Sequence, residues 1–282
     1  MGVRYHKPRG LGAALELLGA QAEKSLLLAG GTLATQRLRS REHPEHVIDI
    51  LDLPELRGIR ATGDRLWVGA NEMCATIAGS DFIRANAPAL AQAAANVGGP
   101  QIRNVATIGG NIAARSPFSD LAPCLLVLET AVSLTGIRTG TRRISLSEFL
   151  ATGLHADEIV LGIDCERTPS GVAITRLAAR LSLAPAIASV AVRLSASSGN
   201  WKSVGIAVGG MGPTAIRAES AERAFIETNG TFEQRKQRAA DAVHAAIAPV
   251  SDVWASADYR RSIVAALTQR ALAAARQQVV AA

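Results

Sequence analysis

Two stretches share one theme: KSLLLAGGTLATQ at residues 24–36 and QIRNVATIGGNIAARSPFSD at residues 101–120. In each, an apolar approach breaks onto adjacent glycines, Gly30-Gly31 in the first and Gly109-Gly110 in the second. Thr32 and Thr107 stand beside the pairs, and Asn111 follows the second. A lone glycine pair marks an ordinary turn or bulge. Two of them in this setting allow another reading. A pyrophosphate is an anion rich in acceptor oxygens, best satisfied by converging backbone N–H groups. Glycine lets the backbone approach such a group without a Cβ in the way and tolerates the φ values required. Ser119 and Asp120, just beyond the second pair, divide the same way: ligand contacts, or caps of a helix starting near Leu121-Ala122-Pro123. Spacing alone leaves both readings open.

Two better-known nucleotide signatures are missing from the sequence. There is no GxxxxGK[ST], and no strand runs into GxGxxG; Gly10-Leu11-Gly12 has Leu15 at the third glycine site and no strand before it. A dinucleotide would have to be held another way.

The surrounding pattern is mixed. Leu11, Ala14, Leu15 and Leu18 recur at helical spacing, so a helix is predicted from about Leu11. SLLLAG (25–30) reads as a short buried strand and HVIDI (46–50) as a second, giving a small α/β unit over about residues 1–55. DRLWVGA (64–70) and EIVLGIDC (158–165) read as strands, and AVSLTGIRTGTRRISL (131–146) as a hairpin. The alanine-rich run 77–98 predicts two helices broken near Pro88. ERTPSG (166–171) has linker composition. It predicts a division into residues 1–168, with subdomains of about 1–55 and 56–168, and residues 172–282. The second part predicts antiparallel strands with an excursion around Pro185 and a turn at Ser197-Ser198-Gly199-Asn200, then helix from about Thr231 onward.

With 282 residues, 48% hydrophobic and 19% charged, the chain has material for one large domain or two modest ones. No apolar run approaches a membrane span, and MGVRYHKPRG lacks the apolar core of a signal peptide, so a soluble, cytoplasmic protein is expected. The formal charge of +6 comes mostly from scattered arginines, and aromatic residues make up only 4%, which argues against a nucleic-acid stacking platform. Cys74, Cys124 and Cys165 are far apart and no two form a CxxC, so neither an iron–sulfur cluster nor a structural zinc site is expected in this chain. The five histidines form no ligand pattern; His43 and His46, in a polar stretch, are expected to face solvent.

AGGT (29–32) followed by IRNVATIGGNIAARSPFSD (102–120) resembles the FAD-binding subunit of the molybdenum hydroxylases, the family of xanthine dehydrogenase, aldehyde and carbon monoxide dehydrogenases and hydroxylases of N-heterocycles. The likeness extends through ELRGI (55–59), RLWVGANEM (65–73), VGIAVGGMGPTAIRAESAE (204–222) and SADYRR (256–261). GGPQIRNVATIGGN is similar to xanthine dehydrogenase-type bacterial subunits in particular.

The resemblance implies an α+β chain: a two-subdomain FAD-binding domain of the vanillyl-alcohol-oxidase type, then a C-terminal α+β domain like that of carbon monoxide dehydrogenase flavoproteins. It implies that FAD is held by Leu27, Leu28, Ala29, Gly30, Gly31, Thr32, Leu33 and Ala34 in the first loop and by Thr107, Gly109, Gly110 and Asn111 in the second. Ser119 and Asp120 fall on family flavin contacts, and Ile159 and Val160 on the strand lying against the flavin ring. It implies a large molybdenum–pterin partner and a small partner with two [2Fe–2S] clusters, assembled as a dimer of heterotrimers. Electrons would pass through the clusters to FAD and on to an external acceptor, with no catalytic acid or base in this chain. Leu33 stands where the family often has Asp or Ser, and residues 150–200 lack the aromatic that often covers the flavin in relatives. Too few cysteines are present for the [4Fe–4S] loop of hydroxybenzoyl-CoA reductase. Two alternatives remain at this point: a free-standing flavin oxidase of the same fold, and a non-redox module binding phosphate or nucleic acid.

Overall fold

A computed structural model describes residues 2–39, 44–168, 170–180, 184–197 and 200–281. The expectations for His43, for the Ser198-Gly199 turn and for residues 181–183 of the excursion before Pro185 lie outside the described residues.

Three sheets organise the described residues. The first is small and parallel. It is built from β1 (Arg4–His6), α1 (Leu11–Ala20), β2 (Ser25–Leu28), α2 (Ala34–Arg39) and β3 (His46–Asp49), with β3 between the other two strands. Helix α1 starts at the predicted residue, buries Ala14 and Leu18, and has its Leu11 amide satisfied from outside by Glu55 Oε1 at 3.0 Å. Strand β2 is half-buried along its whole length, not fully buried as its apolar run suggests, because it lies at the sheet edge. His46 departs from expectation too. It sits in the central strand, 9% exposed, with Nδ1 2.8 Å from Nε2 of His6 and the two rings stacked. Strand β1, three residues with no alternating apolar pattern to mark them, supplies that partner.

The second sheet is antiparallel with strand order β4-β5-β8-β6-β7. The chain runs through β4 (Ile59–Thr62), β5 (Arg65–Gly69), α3 (Cys74–Gly79), α4 (Asp81–Asn86), α5 (Pro88–Asn96), α6 (Pro100–Arg103), α7 (Ile108–Ala113), α8 (Leu121–Val127), β6 (Ala131–Gly136), β7 (Gly140–Ser145), α9 (Leu146–Thr152) and β8 (Glu158–Glu166). The break at Pro88 falls where its ring, tolerated at the first position of a helix, starts α5. Buried Asn71 stitches the two sheets, its amide nitrogen donating to Ile50 O at 2.5 Å and Leu51 O at 3.1 Å.

The third sheet, order β12-β11-β10-β9, comes from β9 (Val172–Ala178), β10 (Ala186–Ser197), β11 (Asn200–Gly209) and β12 (Ile216–Arg217), followed by α10 (Glu219–Glu227), α11 (Phe232–Ala246) and α12 (Ala257–Ala281). A capping box of Thr231 and Gln234 starts α11. The strands alternate with period two. Ala188, Val190, Val192 and Leu194 of β10 and Val204, Ile206 and Val208 of β11 join the core beneath α10–α12. The opposite face carries Ala191, Ala207, Gly205 and Gly209, and it receives α8 from the preceding domain, every residue of which is buried. Small side chains are needed there: a Cβ on Gly209 would meet Pro123 Cγ at 3.0 Å. The C-terminal sheet is thus a middle layer between α8 and its own helices.

Candidate functional site

The two glycine bends meet. At Gly30 the backbone presses on the Val105 carbonyl, and an added Cβ would lie 2.6 Å from Val105 C and 3.1 Å from Ala106 Cα. Val105 and Ala106 lead directly into Thr107 and the second pair. Gly31 has φ +72°, the left-handed region that favours glycine. The main-chain amides of Gly30, Gly31, Thr32, Leu33 and Ala34 make no hydrogen bond among the described residues. The chain then enters α2, with Thr35 N donating to Gly31 O at 3.0 Å.

The second bend is built differently. Gly109 N donates to Ala70 O at 2.8 Å, Gly110 N to the Thr107 hydroxyl at 3.1 Å, and Asn111 N to Thr107 O at 2.9 Å. Contrary to the expectation of open amides, all three are satisfied: Thr107 takes those of Gly110 and Asn111 to start α7, and Ala70 takes that of Gly109. The glycines answer a packing demand as well, since a Cβ on Gly109 would lie 2.6 Å from Ala70 Cβ. Ala70 is a junction. Its N–H donates to Leu161 O at 3.0 Å, so the second bend is tied to β8 through one residue. Strand β5 pairs with β8 only as far as Gly69 opposite Gly162. The preceding β8 residues, Ile159 and Val160, therefore lack a β5 neighbour beside α7, with their side chains buried. Upstream, Arg142 grips buried Glu158 in a two-point ion pair at 2.7 and 2.9 Å and holds its carboxyl below the usual carboxylate range.

Ser119 and Asp120 take separate roles. Ser119 Oγ accepts from Ala122 N at 3.1 Å, capping α8, and donates to Asn111 Oδ1 at 2.6 Å. Asp120 makes no cap. Its Oδ1 lies 3.0 Å from Nε of Arg176 on β9, in the other domain. Burial pushes the Asp120 carboxyl up to about 6, against the pull of Arg176. Of the proposed contact residues, the first bend and the approach to the second are brought together; Asn111, Ser119 and Asp120 form a connected run; Ile159 and Val160 join through Ala70. Leu27 and Ala29 pack on the core behind the first bend, and Leu33 is 40% exposed at its rim.

Arg176 was not among the residues expected at the site. Its signal was available in the alternation of β9, where Val172 and Ile174 turn toward the core of the preceding domain while Ala173 and Leu177 turn toward the C-terminal helices. The three thiols are buried, and burial pushes Cys74 and Cys165 up to about 12.

Residues 1–165 match the model of the FAD binding domain in molybdopterin dehydrogenase, and residues 173–275 that of the CO dehydrogenase flavoprotein C-terminal domain. The chain belongs to the FAD-binding subunits of the molybdenum hydroxylases. Its relatives in that family include the carbon monoxide dehydrogenase medium chain of Hydrogenophaga pseudoflava, 34% identical over 96% of both chains. The xanthine dehydrogenase FAD-binding subunit of Escherichia coli O157:H7 is 28% identical over 96% of this chain and 95% of its own. The structure of carbon monoxide dehydrogenase from Hydrogenophaga pseudoflava superposes with a TM-score of 0.92 at 33% identity, covering 99% of this chain and 98% of that one. As a molybdenum-hydroxylase flavoprotein subunit the chain is part of an oxidoreductase with an FAD-binding domain, and its two-domain fold is that of the family. No helix among the described residues is long and apolar enough to cross a membrane.

Proposed function

We propose that this chain is the FAD-carrying electron-transfer subunit of a cytoplasmic heterotrimeric molybdenum hydroxylase, working with a large molybdenum–pterin subunit and a small subunit bearing two [2Fe–2S] clusters, as a dimer of heterotrimers. One observation carries the reading: five successive amides, Gly30 to Ala34, have no hydrogen-bond partner among the described residues, and at Gly30 this segment touches the entry to a second glycine bend. A diphosphate is the group such amides suit.

FAD, when bound, supplies the electron exchange between the partner clusters and an external acceptor. The chain's own residues do the holding. The amides from Gly30 to Ala34, with the Thr32 hydroxyl, would bind the diphosphate, and Leu27, Leu28 and Ala29 would set the floor beneath them. Thr107, Gly109, Gly110 and Asn111 would form the facing wall, with Gly109 and Gly110 giving closeness more than open amides. Ser119 and Asp120 would meet hydroxyl or imide donors, and the β8 backbone at Ile159 and Val160 would lie along the ring. The division into an FAD-binding unit of residues 1–168 and a following unit of 172–282 goes with this reading.

The test is direct. The purified full chain should be yellow and release about one FAD per chain on denaturation, and a tag on it should retain two further subunits carrying molybdenum and iron. A chain that binds no flavin, alone or in its complex, sinks the proposal.

A further inference from the structure

The segment Ser116–Asp120, between α7 and α8, is gripped from the C-terminal domain at three points. Gly210 N donates to Pro117 O at 2.8 Å. The Arg260 guanidinium lies 5.7 Å from the centre of the Phe118 ring. Arg176 Nε pairs with Asp120 at 3.0 Å. Arg176 and Asp120 are both largely buried, with side chains 16% and 8% exposed. A second anchor fixes the guanidinium, since Arg176 Nη2 donates to Ala184 O at 2.9 Å. Asp120 therefore meets a cation of set position, supplied by a domain that carries neither glycine bend.

We propose that Arg176 is a positioning residue of the FAD site: from the C-terminal domain it holds Asp120 in place as a carboxylate, ready to accept a hydrogen bond from a donor group of the cofactor. This rests on the reading that Asp120 meets FAD. An ionised carboxylate only accepts, whereas a protonated one must also place a proton, so its protonation state decides what it recognises. The surroundings make that state depend on Arg176. Burial raises the Asp120 pKa to about 6, and the opposing charge that acts on it is Arg176. Neighbouring α8 begins with the apolar Leu121, Ala122 and Pro123. The α7 side offers neutral Asn111, reached through Ser119. Arg260 of α12, beside Phe118, directs its N–H groups to the carbonyls of Ile187 and Gly210 and the carboxylate of Asp252. Removing Arg176 would leave a buried acid with no counter-charge, which takes up a proton at higher pH.

The experiment is an FAD titration of the full chain, followed by flavin fluorescence between about pH 5 and 8. Wild-type affinity should fall as the pH drops through about 6, the Asp120 value. Arg176→Gln should move that midpoint up by about one pH unit or more and weaken binding at pH 7 by about twofold or more, while Arg176→Lys should keep the midpoint near wild type. Arg193→Gln, which breaks the separate pair with Glu166 between the same two domains, should leave the midpoint where it is. An unmoved midpoint in Arg176→Gln, or the same shift in Arg193→Gln, overturns the proposal. If Arg176→Gln does not fold, the readout passes to Asp120→Asn, whose affinity must be flat with pH; a profile that still bends overturns it. A wild-type chain with no FAD affinity at any pH refutes the site itself, whereas binding with an Arg176-independent midpoint refutes the positioning role alone.

Discussion

A β-carbon on Gly30 would be driven into the Val105 carbonyl, and main chain cannot step aside as a flexible side chain can. Gly30→Ala must therefore part the two bends. We expect it to cost about 1–3 kcal/mol of stability and to lower FAD content sharply; normal flavin content with an unchanged melting temperature would contradict the close approach. Gly110 differs, because its nearest obstacle is the Thr107 hydroxyl at 2.9 Å, the cap of α7. Thr107→Ala is expected to cost about 1 kcal/mol, the usual loss for a cap, measured by urea unfolding.

Two buried carboxylates make opposite demands on pH. Glu158 is held low, first by its bond to Arg142, so its contribution is present above the unfolded carboxyl range and lost as pH falls through its folded value. Asp120 is raised to about 6, so its contribution is present below the unfolded range and lost as pH rises from about 4 through 6. The cost of ionising it is of order 3 kcal/mol at most. The stability difference between wild type and Asp120→Asn should accordingly move in favour of the variant by about 1–3 kcal/mol between pH 4 and 7. A constant difference would show that Asp120 titrates normally.

At the scale of elements, the decisive contact is α8 against the small-residue face of β10 and β11. Gly205 and Gly209 share that face but tolerate change differently. A Cβ on Gly205 would find Val127 Cβ at 3.5 Å, an ordinary contact, whereas one on Gly209 would reach Pro123 Cγ at 3.0 Å as well as the Ser189 hydroxyl. Gly205→Ala should be within about 0.5 kcal/mol of wild type and Gly209→Ala destabilised by about 1–3 kcal/mol, compared by chemical unfolding. Equal effects would mean the sheet does not seat α8 as described. Leu125, fully buried in α8, should cost about 2–5 kcal/mol as Leu125→Ala.

At the scale of the whole molecule, three ion pairs among the described residues cross the seam between the domains with the same polarity: Arg176 to Asp120, Arg193 to Glu166 and Arg217 to Glu129. In each the cation lies on the C-terminal sheet and the acid on the FAD domain. Arg217 also binds Glu222 at 2.7 Å, anchoring α10. Arg217→Met should lower the melting temperature by a few degrees, and added salt should shrink the gap because these side chains keep some solvent contact. A gap that is independent of salt would assign the loss to packing.

What depends on neighbours a few residues away was legible in the order of the amino acids. The 3.6-residue and two-residue periods placed α1, the helices meeting at Pro88, the hairpin of β6 and β7, and the alternation of the C-terminal strands, and the glycine pairs marked both bends. What depends on partners far along the chain was settled by packing in three dimensions. It put His46 inside against His6, moved β2 to an edge, closed the second bend on Thr107 and Ala70, and brought Arg176 to Asp120. The reason is physical: a local pattern limits the conformation of a segment, but whether an amide is free or a charge is paired depends on the groups that packing brings beside it.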